Sequence, residues 1–502
     1  MYAGYGAIFV GLLLLQFITY GYFFTTLIFT NHTFPDSWVF PYPSYKTHAE
    51  GRWFADIIFW LQGGSGVQPF QMSVAAALQS LNGLLFARFL GLEKRLEVFL
   101  AAAFLCLYPA FLDYYSFAIE HIDFVIGDTF ALIGILYWKN APHSAKTAAV
   151  SGLLFMLTLA GHQPKIALIG LLCICYLAMS IAGSDDDRLF SWKHTMLETG
   201  YIASIFVGTC LAYFLSAKLA IMDWGGERAY INSLQEILRS TFGSYLEVLR
   251  YFTVGADYLP RFLRFLPALG IALGCVALLQ RAYRRQVMAV IVVALVLLVI
   301  PIVLRGSYII NKHSWENWGR MVSANGYALL FFLSLALQVN WMKKLVVGIL
   351  VAFLYFFVVI GTQESNAAAI KTIYDLNFIN RIVSRIESVA EDLPQKKYAL
   401  VVAGHYPAFP RSRYVKSSNR SNQPHVLTFA FEGYRQPEIL NYFFGRNVLT
   451  RPTPEQLEAA LVSVQGRRPW PAKESVYVLD NVIVVVLEEY RANMPRTWST
   501  TE

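Results

Sequence analysis

The chain has 502 residues, of which 56% are hydrophobic and only 15% charged, and its formal net charge is +8. A soluble globular domain carries about 25% charged residues. Here the deficit is local, because long charge-free apolar runs alternate with short charged ones, and the excess Lys and Arg sit largely between those runs. That pattern points to many membrane spans surrounded by lipid, and it excludes nucleic-acid binding as the reason for the positive charge.

In chain order the apolar runs predict about eleven spanning helices, at 7–30, 67–90, 96–112, 122–138, 147–162, 166–183, 197–221, 263–280, 286–304, 321–339 and 345–362. Each approaches the length needed to cross an apolar core about 30 Å thick at about 1.5 Å per residue. The first run is too long for a signal-peptide core and lacks a basic segment before it, which predicts a retained span. Cys106, Cys173, Cys175, Cys210 and Cys275 all fall inside apolar runs. The Cys173-Ile174-Cys175 spacing is neither CxxC nor a zinc pattern, so these read as packed free thiols.

One set of short loops is basic: Glu93-Lys94-Arg95, 139–146, 188–193, 281–285 and Lys343-Lys344. The positive-inside rule places this set in the cytoplasm. The N-terminus is then cytoplasmic and everything after 362 extracytoplasmic. The outer set comprises 31–68, 113–121, 161–165, 222–262 and 305–320, and it holds the long loops, acids and aromatics. Within it, 50–61 reads as an amphipathic segment with Trp53 and Trp60, suited to the membrane interface. Residues 228–253 read as a second amphipathic helix, with Leu234, Leu238, Phe242 and Leu246 near a 3.6 period and arginines placed for headgroups.

The remainder, 363–502, reads as a small extracytoplasmic α/β domain appended to the 1–362 membrane domain. A helix is predicted over 375–391 and a buried strand over 398–403, closed by Gly404. A further strand is predicted over 425–431, after a polar loop at 411–423. A helix over 454–465 has Thr453 as N-cap and Pro454 at its first position. Two strands, 475–479 and 482–487, bracket Asp480-Asn481 as a hairpin turn.

No P-loop, GxGxxG, HExxH or GxSxG element occurs. What stands out is ionisable residues gathered at the outer span ends, where they are costly and tend to be functional. They are Asp36, Glu50 and Arg52; Asp113, Glu120, His121 and Asp123; His162, Gln163 and Lys165; and Arg305, His313, Glu316 and Arg320. Carboxylates beside cations and aromatics suit a transfer in which an acid takes a proton from an acceptor hydroxyl while cations hold a phosphate leaving group. Simpler roles compete. Asp36 also fits a solvated loop acid, Glu50 a helix cap, Lys165 and Arg320 snorkelling anchors, and Asp123 and Asp128 buried partners inside the bundle.

Four stretches carry a family resemblance: Thr30-Asn31-His32-Thr33-Phe34-Pro35-Asp36, Glu50-Gly51-Arg52-Trp53, Gly161-His162-Gln163-Pro164-Lys165 and Trp318-Gly319-Arg320. With the appended outer domain, the chain resembles the multi-span O-antigen-modifying glucosyltransferases of the glucosyltransferase II type, within the GT-C class. The resemblance implies a bacterial inner-membrane enzyme that moves a hexose, glucose in this family, from a polyprenyl-phosphate donor. The acceptor it implies is a lipid-linked or surface glycan such as the O-antigen of lipopolysaccharide, the chemistry of serotype conversion. It places a catalytic acid in the first outer loop. The family has an acid directly after Asn-His, and this chain has Thr33, so Asp36 and Glu50 both stand as the base. His162-Gln163 occupies the place of a Tyr-Gln pair. Arg52, Trp53, His162, Gln163, Lys165 and Arg320 are then the donor phosphate and sugar contacts. No cofactor is implied, and no compact ligand set decides whether a divalent metal takes part. A flippase for lipid-linked saccharides is the alternative; its charges belong near the midplane rather than at the outer span ends. A non-catalytic scaffold would leave the clusters at 50–53 and 161–165 without a role.

Overall fold

The computed structural model describes residues 2–25, 51–61, 70–115, 121–183, 191–220, 233–256, 258–310, 322–390, 392–393, 395–404 and 436–489. They fall into two compact units divided between Thr362 and Gln363.

The first unit is helical. Its principal helices are α1 (Tyr2–Thr25), α2 (Trp53–Leu61), α3 (Phe70–Phe89), α4 (Arg95–Leu107), α5 (His121–Asn140), α6 (Ala145–Gly161), α7 (Ile166–Ala182), α8 (Trp192–Ala220), α9 (Leu234–Phe252), α10 (Leu266–Arg285), α11 (Val287–Leu304), α12 (Gly306–Ile310) and α13 (Ala324–Leu337). The last helix, α14 (Asn340–Val389), supplies the end of this unit and the first element of the next.

Every predicted apolar run carries a helix. Among the described residues, 7 helices are long and apolar enough to cross a membrane, while Tyr5–Gly21, Ala145–Gly161 and Ala324–Leu337 are shorter apolar helices. With 13 residues, α4 is shorter still. This is the make-up of a polytopic membrane protein.

Polar bonds and close backbone approach knit the bundle, as expected where lipid supplies no hydrophobic drive between helices. Gln16 Nε2 of α1 donates to Ser80 Oγ at 2.8 Å and to the Ala76 carbonyl at 3.1 Å, both on α3, and its Oε1 accepts from Tyr115 OH at 2.8 Å. Asn82 Nδ2 of α3 donates to the Val125 carbonyl of α5 at 3.0 Å, and Thr129 Oγ1 returns a bond to Asn82 Oδ1 at 2.7 Å. A Cβ built on Gly83 would fall 2.8 Å from Ala102 Cα, so α3 and α4 meet backbone to backbone and only glycine fits.

Among the described residues, the second unit is built on a four-stranded sheet of order β2-β1-β4-β3, with β1 Tyr398–Ala403, β2 Leu449–Thr450, β3 Val476–Leu479 and β4 Val482–Val486. The pairs β1–β2 and β1–β4 are parallel and β3–β4 is an antiparallel hairpin. Asp480 takes the left-handed conformation at φ 53°, which the hairpin turn requires. Central β1 and β4 are buried throughout, so they read as unbroken apolar runs. Ile379, Ile382 and Ile386 of α14 pack with Leu400, Val402, Ile483 and Val485. On the opposite face, Leu457 and Ala460 pack with Val401, Val484 and Val486. Those two come from α16 (Pro454–Ser463), which follows α15 (Gln436–Phe444). Thr453 caps α16 in a capping box with Gln456.

Two differences from the expectation stand out. The helix predicted over 375–391 is the continuation of the last apolar helix. The stretch after Gly361 turns polar but contains no proline before Val389 to end it. The strand predicted over 425–431 lies outside the described residues, while α15 and β2 were not expected.

Candidate active site

The stretch 161–165 forms a sharp junction. His162 leaves α6 in extended conformation (φ −153°), and Gln163–Lys165 make one 3-10 turn containing Pro164 before α7 begins. Pro164 suits such a restart, because its ring presets φ and its missing N–H would lack a partner there anyway. The turn leaves Gln163 half-buried and sends Lys165 into the bundle, 1% exposed.

Lys165 is enclosed by partners. Its ammonium donates to the Asp128 carboxylate of α5 and to the hydroxyl of Tyr114, and it lies 4.3 Å from the centroid of the Tyr114 ring. Tyr327 of α13 donates to the other Asp128 oxygen, Oδ2, at 3.1 Å. Asp128 is fully buried. A buried ion pair persists only when the remaining lone pairs and protons are satisfied, and removing one partner of such a pair costs about 3–5 kcal/mol. The four side chains therefore tie the turn before α7 to α5, α13 and the one-turn helix Leu112–Tyr115.

Around this pair lies a closed set of rings. Phe124 meets His162 edge-on at 4.8 Å and Tyr114 at 5.3 Å. His121, fully buried at the start of α5, donates from Nδ1 to the Tyr114 carbonyl at 2.9 Å, a bond that places the proton on that nitrogen. Asp123 is buried beside them, and a Cβ built on Gly161 would lie 3.6 Å from its carbonyl.

The second component is the start of α2. Gly51 adopts φ 69°, a left-handed conformation that a residue with a Cβ enters at a cost of about 1–2 kcal/mol. That bend sends Arg52 across to the turn, where Nε donates to Gln163 Oε1 at 2.8 Å. Trp53 Nε1 donates to Ser216 Oγ at 3.2 Å and Tyr213 OH to the Gly51 carbonyl at 3.4 Å, fastening the segment to α8. A guanidinium carries five donors in a rigid fork, so the Nε bond fixes the plane in which its terminal nitrogens point. Arg305 follows α11, its guanidinium 3.8 Å over the ring of Tyr308 on α12, and α12 packs against the Gln163–Lys165 turn.

The structure thus brings Arg52, Trp53, His121, Asp123, His162, Gln163 and Lys165 into one neighbourhood, with Arg305 on the adjoining segment. Asp113 lies on Leu112–Tyr115. Asp36, Glu50, Glu120, His313, Glu316 and Arg320 lie outside the described residues. Tyr114, Tyr327, Tyr213 and Ser216 are participants that sequence reasoning did not single out. Tyrosines and serines in apolar runs give no local signal. Asp128 did give one, as an acid inside a span, and its expected role as a buried partner is the one it takes. Among the described residues, no group of three or more His, Cys, Asp or Glu side chains gathers to hold a metal.

The arrangement offers a guanidinium bonded to the carboxamide of Gln163, two residues before the buried Lys165–Asp128 pair, with Trp53 next in the chain bonded to Ser216. Fixed cations of this kind hold phosphate oxygens, and aromatic faces suit sugar rings. Residues 36–359 match the family model described as Glucosyl transferase GtrII. No curated protein and no solved structure matches the chain.

Proposed function

Because the chain belongs to the glucosyl transferase GtrII family, we propose that it transfers a glucosyl residue from a polyprenyl-phosphate donor to a lipid-linked or surface glycan, such as O-antigen, at the outer face of a bacterial inner membrane. The observation that carries this reading is the Arg52–Gln163 bond, which holds a guanidinium in a set plane.

Asp36 or Glu50 acts as the base. It takes the proton of the acceptor hydroxyl as that oxygen bonds to the anomeric carbon. The bond from that carbon to the phosphate oxygen breaks, and the electron pair leaves with polyprenyl phosphate. Arg52 meets the charge that develops on the phosphate, with Arg320 as a second cation, and Trp53 and His162 border the sugar. Lys165, which sequence reasoning also placed on the phosphate, is committed to Asp128 and Tyr114; its part is to hold the turn that presents Gln163. The apolar spans accommodate the prenyl chain, and the second unit serves the acceptor glycan.

The test is transfer by purified, reconstituted protein supplied with polyprenyl-phosphoglucose and a glycan acceptor. Product should form with the wild type and fall sharply with Arg52→Ala and with either Asp36→Asn or Glu50→Gln. Full rates in both acid variants would remove the base assignment.

A further inference from the structure

Helix α9 has three different sides. Ser244, Val248 and Phe252 are buried against the bundle, and Tyr245 OH donates to the Leu298 carbonyl of α11 at 2.7 Å. Turning by the helical period of about 100° per residue, the next side carries Leu234, Leu238, Phe242, Leu246 and Leu249, which are between 50% and 76% exposed. The third side is polar, with Arg239, Gly243 and Arg250 exposed beside Glu247. The helix begins in a full capping box, Ser233 with Glu236, which satisfies N-terminal donors without help from water.

Two observations say what covers the apolar side. First, it adjoins the outward surface of a span. Leu298, whose carbonyl receives the Tyr245 bond, is itself exposed, as are Leu295 and Val299 on the same apolar helix. What covers a span there covers α9 as well. Second, the polar side borders the apolar one and bears Arg239 together with Arg250, whose Nη1 donates to Glu247 at 3.1 Å, a mixed-charge edge suited to the headgroup level of lipids. A helix immersed in water would have no use for an exposed leucine stripe, and a transmembrane one would have no place for the polar side.

We propose that α9 is an in-plane helix bound to the lipid leaflet, with Leu234, Leu238, Phe242, Leu246 and Leu249 among the acyl chains and Arg239 and Arg250 at the level of the phosphates. This surface is independent of the sugar chemistry and stands or falls by itself. The helix also reaches toward the interior lock. Tyr251 shares a hydrogen bond with Tyr108 at 3.0 Å, and Tyr108 leads through Phe111 to Tyr114 by ring contacts of 6.1 and 5.1 Å.

Two measurements test it. Unmodified protein in nanodiscs of a phospholipid carrying a diazirine in the upper acyl chain is photolysed, and adducts are located by mass spectrometry. Adducts are expected at Leu238, Phe242 and Leu246 and not at Arg239 or Gly243. In parallel, spin labels are placed at Phe242→Cys and Gly243→Cys in a parent with Cys210→Ser and Cys275→Ser. The ratio of oxygen to nickel-chelate accessibility should be several-fold higher at 242 than at 243. Equal ratios with nickel reaching both would mean a water-exposed helix, and exclusion of both probes from 242 with no lipid adduct would mean a protein cover. Either result overturns the proposal.

Discussion

Arg52 Nε and Gln163 Oε1 lie 2.8 Å apart although 111 residues separate them in the chain. Their bond joins the two stretches that look most like chemistry in the sequence, and it determines how a guanidinium is aimed. Lysine at 52 would keep the charge and lose the fork. Arg52→Lys should therefore lower the transfer rate by about 10- to 100-fold, the size of a charge-assisted bond of about 1.5–3 kcal/mol. Gln163→Ala should lose a similar share by freeing the plane. Steady-state transfer on folded, monodisperse protein is the measurement, and a lysine variant near the wild-type rate would argue against phosphate contact by Arg52.

Lys165 and Asp128 are enclosed together, so each is costly without the other. Lys165→Met or Asp128→Asn alone should destabilise the protein by about 3–5 kcal/mol, and the double variant Lys165→Met with Asp128→Leu should recover much of the loss. Thermal unfolding followed by intrinsic fluorescence in one detergent compares all three. Single variants that melt like the wild type would show that the pair does not hold the turn.

Gly51 sits at φ 69° directly before Arg52. Gly51→Ala should cost about 1–2 kcal/mol of local strain and should reduce transfer, because the strain is relieved by moving Arg52. Tyr213→Phe removes only the 3.4 Å bond to the Gly51 carbonyl and should have the smaller effect. Equal activity of the alanine variant and the wild type would contradict the role given to this bend.

In the second unit, Thr453→Ala removes one half of the capping box and should weaken α16 by about 1 kcal/mol. The hydrogen bond with Thr453, aided by backbone N–H, also holds the Glu455 carboxyl below the usual carboxylate range. A lowered folded-state pKa gives stability that is present above the ordinary carboxylate range and lost as pH falls through the folded value. The difference in hydrogen-exchange protection of Pro454–Ser463 between wild type and Thr453→Ala should therefore narrow on acidification. A difference that widens would reverse the sign of this effect.

What the sequence by itself determined is what depends on neighbours along the chain. Apolar run length located the helices of the first unit, and the run 398–403 is β1 residue for residue. The Thr453-Pro454 start of α16 and the Asp480 turn were legible for the same reason: caps and turns are satisfied within a few residues. The two units divide between Thr362 and Gln363, yet one helix runs on through that point to Val389, because falling hydropathy marks the limit of a lipid-facing surface, while a helix ends only where its backbone is interrupted.

Only the tertiary structure decided what each polar side chain is for. In the sequence Lys165 reads as a snorkelling anchor or, through the family resemblance, as a phosphate contact. In the structure its ammonium is enclosed, because packing brings Asp128 from 37 residues away within reach of it, and Tyr327 from 199 residues beyond Asp128 to the same carboxylate. A buried charge takes the partner that spares it from apolar surroundings, and which partner that is depends on helix contacts that no local pattern encodes.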